Sequence, residues 1–265
     1  MMSQKRPARD RPAGKMRLSV IVPVYNEAET VVQVIERVLS VELEGFDREI
    51  IVVDDGSTDE TAGILEGMVG QWPDLVKVDH HEQNRGKGAA VRTALEHVTG
   101  DIVITQDADL EYDPADYPKL LALFEDPMVQ VVYGSRNLRK NPRSSWSFYW
   151  GGRLVSWVSN LLYGSELTDE ATGYKLLRAD LLRSLDLRAE GFEFCPEVTS
   201  KVLKRGVKIH EVPISYQPRS LEEGKKISWR DGLHAIWTLV KNRLQRDVGT
   251  KPGAEGAFSS PERDV

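Results

Sequence analysis

Ile102-Val103-Ile104-Thr105-Gln106-Asp107-Ala108-Asp109-Leu110-Glu111 joins an apolar, largely β-branched run to a cluster of alternating carboxylates. The run reads as a buried strand. Carboxylates placed a few ångströms apart just past its end raise each other's pKa unless a cation lies between them. Asp107, Asp109 and Glu111 offer only hard oxygen donors, with no Cys or His nearby in the chain, so Mg²⁺ or Mn²⁺ suits them better than Zn²⁺. Mg²⁺ keeps waters and substrate phosphates in its shell, so few protein ligands imply a phosphorylated partner. A lone Asp-X-Asp also caps helices, and the rest of the chain has to decide between the two.

Working outward, the same pattern of strand, polar loop and helix recurs. Leu18 to Val24 runs into Tyr25-Asn26-Glu27, and Val31, Val34, Ile35 and Val38 follow at helical spacing. Arg48 to Val53 ends in Asp54-Asp55-Gly56, with Ser57 and Glu60 spaced as a capping box for a second helix. Leu75 to Asp79 leads to Gln83-Asn84-Arg85-Gly86-Lys87-Gly88 and a helix from about Ala89 to Val98. Val129 to Tyr133 leads to Gly134-Ser135-Arg136. Alternation of this kind predicts an α/β fold, Rossmann-like, with a mostly parallel sheet and helices on both faces. Ligands in such sheets bind outside the carboxyl ends of the strands, where all five polar loops fall, so a nucleotide or sugar-phosphate site is expected there.

Further on, Tyr149 to Tyr163 has helical periodicity, Ala171 to Arg178 suggests a short strand and 192–205 a helix. Val207 to Tyr216 reads as a strand, with Pro213 marking an edge. The 265 residues, 40% hydrophobic and 29% charged, are ordinary for a globular chain, and the net charge of -6 argues against nucleic acid as main partner. Residues 1–17 hold six basic residues and read as a disordered basic arm, and 249–265 as a disordered tail. Between them lie a domain at 18–216 and, at 217–248, a loop and an amphipathic helix. No apolar run is long enough to span a bilayer. The single Cys195 suits a reducing, cytoplasmic setting.

Taken in order, Val20-Ile21-Val22-Pro23-Val24-Tyr25-Asn26-Glu27, Val52-Val53-Asp54-Asp55-Gly56-Ser57-Thr58-Asp59, Asn84-Arg85-Gly86-Lys87-Gly88 and Asp107-Ala108-Asp109 resemble family 2 glycosyltransferases of the GT-A fold. Tyr133-Gly134-Ser135-Arg136, Thr168-Asp169, Thr172-Gly173-Tyr174-Lys175, Glu211-Val212-Pro213-Ile214 and Arg219 with Lys225 and Lys226 resemble the branch of dolichyl-phosphate mannose synthases and polyprenyl-phosphate sugar transferases. The resemblance implies that Pro23, Tyr25, Glu27 and Asp55 contact the base and ribose of a GDP- or UDP-hexose, with Gly86 and Lys87 nearby and Asp107 and Asp109 at the metal and diphosphate. Glu111 stands where many relatives carry Gln and adds a third candidate metal ligand. Gly173 stands where many carry Cys.

The acceptor decides the chemistry. A sugar hydroxyl requires a general base, with Asp169, Glu193 and Glu197 as candidates, whereas a polyprenyl phosphate is already ionised and requires cations. The resemblance favours the phosphate, with inversion. Arg136 and Arg153 are the chosen cations, Ser156 an added hydrogen bond, and Arg219, Lys225 and Lys226 a clamp. Asp169 has three open roles: to orient the sugar, to position an arginine, or to act as base. Arg153, Ser156 and Asn160 form one stripe of the 149–163 helix, beside a Trp-rich stripe suited to a membrane interface. Residues 227–244 read either as an interfacial helix or as one packed on its own domain. The expected location is the cytosolic membrane face, held peripherally, with a membrane-spanning subunit as a further candidate partner. Three rivals stand beside this reading: a transferase acting on hydroxyl acceptors, a non-catalytic nucleotide-sugar-binding subunit, and a sugar-phosphate nucleotidyltransferase, whose first loop is usually glycine-rich, unlike Pro23 to Glu27.

Overall fold

The computed structural model describes residues 15–142, 146–219 and 229–245. Seven strands form one sheet: β1 (Met16–Val24), β2 (Phe46–Asp54), β3 (Val76–His80), β4 (Ile102–Thr105), β5 (Val131–Ser135), β6 (Lys175–Arg178) and β7 (Ile209–Pro213). They lie in the order β3-β2-β1-β4-β6-β5-β7. All neighbours are parallel except β6, which runs antiparallel to both β4 and β5. Pro213 sits on β7, an edge strand, where its missing N–H interrupts no ladder on the outer side.

Period-two alternation sorts side chains between two cores. Val20, Val22, Ile50 and Val52 pack on one face, against Val31 and Ile35 of α1 (Val31–Ser40) and Leu65 of α2 (Thr61–Gln71). Ile21, Ile51 and Val53 pack on the other, against Ala90 and Ala94 of α3 (Lys87–His97). The short α4 (Tyr117–Leu121) joins the first core; α6 (Ala179–Ser184) and α7 (Phe194–Lys204) join the second. Truncating any of these buried Ile or Val side chains to Ala would cost roughly 2–5 kcal/mol. α5 (Trp146–Tyr163) and α8 (Trp229–Leu244) pack together beside this sandwich, where the Tyr163 hydroxyl donates to the Leu239 carbonyl at 2.7 Å.

Several boundaries differ from the sequence reading. β1 starts at Met16, so Met16 and Arg17 are strand rather than arm: they pair with Phe46 and Asp47, and the Arg17 N–H donates to Asp101. Residues 1–14 and 246–265 lie outside the described residues, as do Lys225 and Lys226. The capping box at Ser57 and Glu60 does not form. The Ser57 hydroxyl instead accepts from the Asn26 N–H, and Asp59 caps the Thr61 N–H, so α2 begins at Thr61. α8 packs one side on its own domain and leaves the other exposed. Leu239 and Asn242 are buried against the domain, and Leu233, Trp237 and Leu244 are exposed.

Candidate active site

The loops after β1, β2, β3 and β4 meet at the carboxyl edge, and side chains knit them together. Asn26 adopts φ 51°, a left-handed conformation that Asn tolerates, and its side-chain oxygen accepts the Thr58 N–H at 2.8 Å. Pro23 near the end of β1, and Tyr25 and Glu27 in this first loop, are half-buried. Asp55 is buried, and its carboxylate accepts the backbone N–H groups of Arg85 (2.9 Å) and Gly86 (2.7 Å). Gly86 sits at φ 96°, where an added Cβ would meet the Glu190 carbonyl at 2.4 Å. Only glycine fits there. It opens α3, whose first residue, Lys87, reaches across to the Asp107 carboxylate. Burial opposes the charge on Lys87, yet Asp107 holds its pKa above the ordinary lysine value.

Past β4, the Gln106 side chain is fully buried and fixes the carboxylate loop. Its carbonyl oxygen accepts the hydroxyls of Tyr117 and Tyr174, both at 2.6 Å, and its amide donates to the Asp107 carbonyl at 2.9 Å. Leu110 at φ 62° bends the chain between Asp109 and Glu111, and left-handed backbone on a bulky residue is the kind of strain that collects at functional sites. Burial, then Asp107 and Glu111, push the Asp109 carboxyl up to about 7. Two hard carboxylates, one under this pressure from its neighbours, fit a divalent cation at Asp107 and Asp109.

Glu111 faces elsewhere. Its carboxylate accepts the Tyr216 hydroxyl (2.6 Å) and the Arg219 N–H (2.7 Å), so it ties the carboxylate loop to the segment after β7. Arg219, expected in the acceptor clamp, bridges the first loop and the carboxylate loop. Its Nη2 lies 3.0 Å from Glu27 Oε2 and its Nε donates to the Asp109 carbonyl at 2.7 Å. Glu27, Asp109 and Arg219 help to wall a cleft of about 510 Å³ running from Asn26 to Thr30 on one side and from Gln217 to Arg219 on the other.

A second constellation lies across the sheet switch made by β6. Arg136, directly after β5, donates from Nε and Nη2 to the two carboxylate oxygens of Asp169, each at 2.7 Å, and its backbone N–H adds a third bond at 2.9 Å. Asp169 is buried, and Glu211 on β7 takes the N–H groups of Thr168 (2.8 Å) and Asp169 (2.9 Å). Three sequence motifs thus converge on one guanidinium. Of the roles open for Asp169, the geometry supports positioning an arginine. The Tyr216 ring lies 5.1 Å from the same guanidinium. Burial, opposed by Arg136 and reinforced by Asp169 and Asp107, lifts the pKa of the Tyr112 hydroxyl, which accepts the Gly173 N–H at 2.7 Å.

The polar stripe of α5 turns inward. Ser156 is buried and accepts the Glu170 N–H at 2.9 Å, and Asn160 brackets Leu167 through the latter's N–H and carbonyl. Ser156 is therefore a brace for the 165–170 loop and not a phosphate ligand. Arg153 is exposed, with Nη1 at 3.3 Å from the Thr168 carbonyl, on the same loop that holds Arg136. The Trp stripe points outward, with Trp146, Trp150 and Trp157 exposed by 65%, 61% and 60%.

Residues 19–185 match the family model described as glycosyl transferase family 2. The chain belongs to that family. It is 32% identical over 250 residues to the undecaprenyl-phosphate mannosyltransferase of Micrococcus luteus, covering 86% of this chain and 99% of that one. It is 29% identical to the dolichol-phosphate mannosyltransferase of Pyrococcus furiosus, covering 79% of this chain but spanning 59% of that relative's length. A solved glucosyl-3-phosphoglycerate synthase from Mycobacterium tuberculosis, in complex with Mn²⁺, UDP-glucose and phosphoglyceric acid, superposes with a TM-score of 0.65 at 24% identity, over 88% of this chain and 82% of that one. The fold is GT-A and the chain is a glycosyltransferase.

Family 2 motifs account for most of these contacts, but not for Gln106 or Gly173. A polar residue closing an apolar strand was the visible signal for Gln106. At Gly173 an added Cβ would stand 2.8 Å from Asp107 Oδ2 and 3.0 Å from the Tyr112 ring, so the missing side chain makes room for the first carboxylate.

Proposed function

We propose that this glycosyltransferase moves a hexose, with inversion, from a nucleotide-sugar to a polyprenyl phosphate at the cytosolic face of a membrane, using Mg²⁺ or Mn²⁺. The observation that carries the acceptor class is the fate of the candidate bases. Asp169 is committed to Arg136, Glu193 to the Glu190 and Gly191 N–H groups, and Glu197 to Arg188, Ala189 and Lys201. None is poised to deprotonate a hydroxyl, and an ionised phosphate needs no such group. The undecaprenyl- and dolichol-phosphate mannosyltransferases among its relatives support the same class.

In this reading the first loop and Asp55 form the nucleoside side, and the N-terminal turn of α3 with Lys87 receives the diphosphate, where helix N–H groups and an ammonium favour anions. Asp107 and Asp109 would hold the cation, which when bound neutralises charge on the departing nucleoside diphosphate. Arg136 grips the acceptor phosphate. Its Nε and Nη2 are fixed by Asp169, which leaves the Nη1 donors for the ligand and keeps the guanidinium from swinging away. Arg153 stands beside it as the second cation.

No helix among the described residues is long and apolar enough to cross a membrane. The outward stripe of α5, Trp146, Trp150, Leu154, Trp157 and Leu161, exposes on the order of 600 Å² of apolar surface, at the upper end for a monomer. Trp237 and Leu233 on α8 add to it. Such a face suits the bilayer interface, where tryptophan is enriched, and would hold the catalytic edge near a lipid-borne phosphate.

The test is incubation with radiolabelled GDP-mannose or UDP-glucose, undecaprenyl phosphate in detergent and Mn²⁺. A labelled organic-phase product that disappears in EDTA is expected. Label appearing solely on water-soluble hydroxyl acceptors, such as 3-phosphoglycerate, would overturn the acceptor class.

A further inference from the structure

His81 directly follows β3 and touches none of the residues assigned to donor or acceptor except Asp55. Its side chain is buried between two elements. Nδ1 lies 2.7 Å from Asp55 Oδ1, Nε2 lies 2.9 Å from Thr93 Oγ1 on α3, and its backbone N–H donates to the Asp54 carbonyl at 2.8 Å. An ionised carboxylate only accepts hydrogen bonds, so the Asp55 contact puts a proton on Nδ1, while Nε2 pairs with the threonine hydroxyl. One imidazole thus links the end of β2 to the middle of α3.

Asp55 is the residue through which this link matters. Its Oδ1 also accepts the Arg85 N–H and its Oδ2 the Gly86 N–H, the two backbone groups that turn the chain into α3 and present Lys87 to Asp107. Neighbouring Asp54 offers an internal contrast. It too meets a histidine, His80, at 3.2 Å, but that ring is 39% exposed and Asp54 serves the Ser57 N–H rather than the 84–88 loop. Two adjacent Asp–His pairs therefore differ in burial and in the loop they hold.

We propose that His81 is a positioning residue for the donor loop: it fixes the Asp55 carboxylate in the orientation that captures the Arg85 and Gly86 N–H groups, and through them sets the start of α3 and the place of Lys87. Its kinetic consequence rests on reading residues 84–88 as the diphosphate side of the donor site. Removing the ring leaves Asp55 able to rotate about its side chain, and a misplaced loop weakens donor capture without touching the acceptor constellation around Arg136. Outer partners of metal ligands typically matter by about 10–100-fold, and an effect of the same order is expected of this carboxylate's partner.

Two readouts test it on the full chain. Hydrogen exchange followed by mass spectrometry reports residues 83–88 directly, without substrate. His81→Ala should speed exchange there, and His81→Asn should restore protection, because the asparagine amide nitrogen takes the place of Nδ1. His80→Ala serves as the matched control and should leave that segment unchanged. In steady-state assays His81→Ala should raise the donor KM about 10–100-fold, with the acceptor KM and kcat within about threefold of wild type. Should His81→Ala fail to fold, Thr93→Val removes only the outer hydrogen bond and should loosen the same segment to a smaller degree. Unchanged exchange of 83–88 in His81→Ala, no rescue by His81→Asn, or a loss confined to kcat would each overturn the proposal. Calorimetric titration of the wild type with Mn²⁺ and UDP or GDP separates the two layers. No binding of either nucleotide would sink the donor-site reading, and the exchange experiment would still decide the role of His81.

Discussion

Replacing Asp109 with Asn should make the metal-free chain more stable while removing its activity. The carboxyl is lifted from an ordinary 3.8 to about 7, by burial first and then by Asp107 and Glu111. At about 1.4 kcal/mol per tenfold change, the ionised form costs the fold at most about 4 kcal/mol. Asp109 is only half-buried, so solvent screening brings the figure to roughly 1–2 kcal/mol. The sign follows from the direction of the shift. A carboxyl with a raised folded pKa carries no penalty when protonated in both states. The penalty grows as pH rises from about 4 and is complete above about 7. Asn retains an oxygen to accept the Glu111 N–H, now at 3.1 Å, and carries no charge. In EDTA at pH 8 the variant should melt roughly 3–6 °C above wild type, and the gap should shrink at pH 5. Adding Mn²⁺ should raise the wild-type melting temperature and leave the variant unmoved, while turnover falls by orders of magnitude. A variant that melts below wild type at pH 8 in EDTA, or that keeps full activity, would refute the account of Asp109 as an electrostatically strained metal ligand.

Arg136→Lys should lower acceptor use by about 10–100-fold with nucleotide binding within twofold of wild type, because an ammonium cannot match Asp169 and a phosphate with planar donors; kinetics against both substrates check it. Arg136→Ala strands a buried Asp169 and should also cost about 3–5 kcal/mol in urea unfolding. Far from the site, burial opposes ionisation of Glu49, but bonds from Ser19, Thr99 and Lys77 hold its pKa below the ordinary value. Its stabilisation is therefore present above the unfolded pKa of about 4.5 and lost as pH falls through the lower folded value, so Glu49→Gln should cost about 1–3 kcal/mol at pH 7 and converge with wild type as pH drops below that folded value in urea titrations. Finally, Trp150→Glu with Trp157→Glu should reduce flotation with anionic vesicles at least about tenfold while sparing turnover of a short-chain acceptor in detergent; flotation equal to wild type would remove α5 from the membrane face.

Much of the fold was legible because the inner strands are unbroken apolar runs and the loops carry distinctive chemistry. β1, β2 and β4 are buried on both faces and read as continuous apolar runs, as strands in parallel sheets do. The direction of β6 was not legible. Lys175 to Arg178 offers only two apolar residues, Leu176 and Leu177, between two charged ones, and nothing in so short a stretch marks the antiparallel pairing. The missing capping box has a similar cause. Ser57 and Glu60 have the right spacing, but Asn26 offers Ser57 a partner 31 residues away, and a tertiary hydrogen bond displaced the local one.

The site shows the same division between residue type and partner. Carboxylates and arginines were recognisable as chemistry, yet which charge meets which depended on contacts across long stretches of chain: Arg136 with Asp169, Arg219 with Glu27, Lys87 with Asp107. The stripe of Arg153, Ser156 and Asn160 illustrates why. Helical spacing correctly placed the three on one side, but spacing is silent on what that side faces. Here it faces the 165–170 loop, and two of the three satisfy backbone groups that burial would otherwise leave unpaired. That loop carries Asp169, so the stripe acts on Arg136 from behind. Because α5 exposes its tryptophans on the outer side and braces this loop on the inner side, a single helix connects the proposed membrane face to the arginine proposed to hold the lipid phosphate. The connection runs through contacts already in place, so docking of the outer stripe would position the inner one without any change of fold.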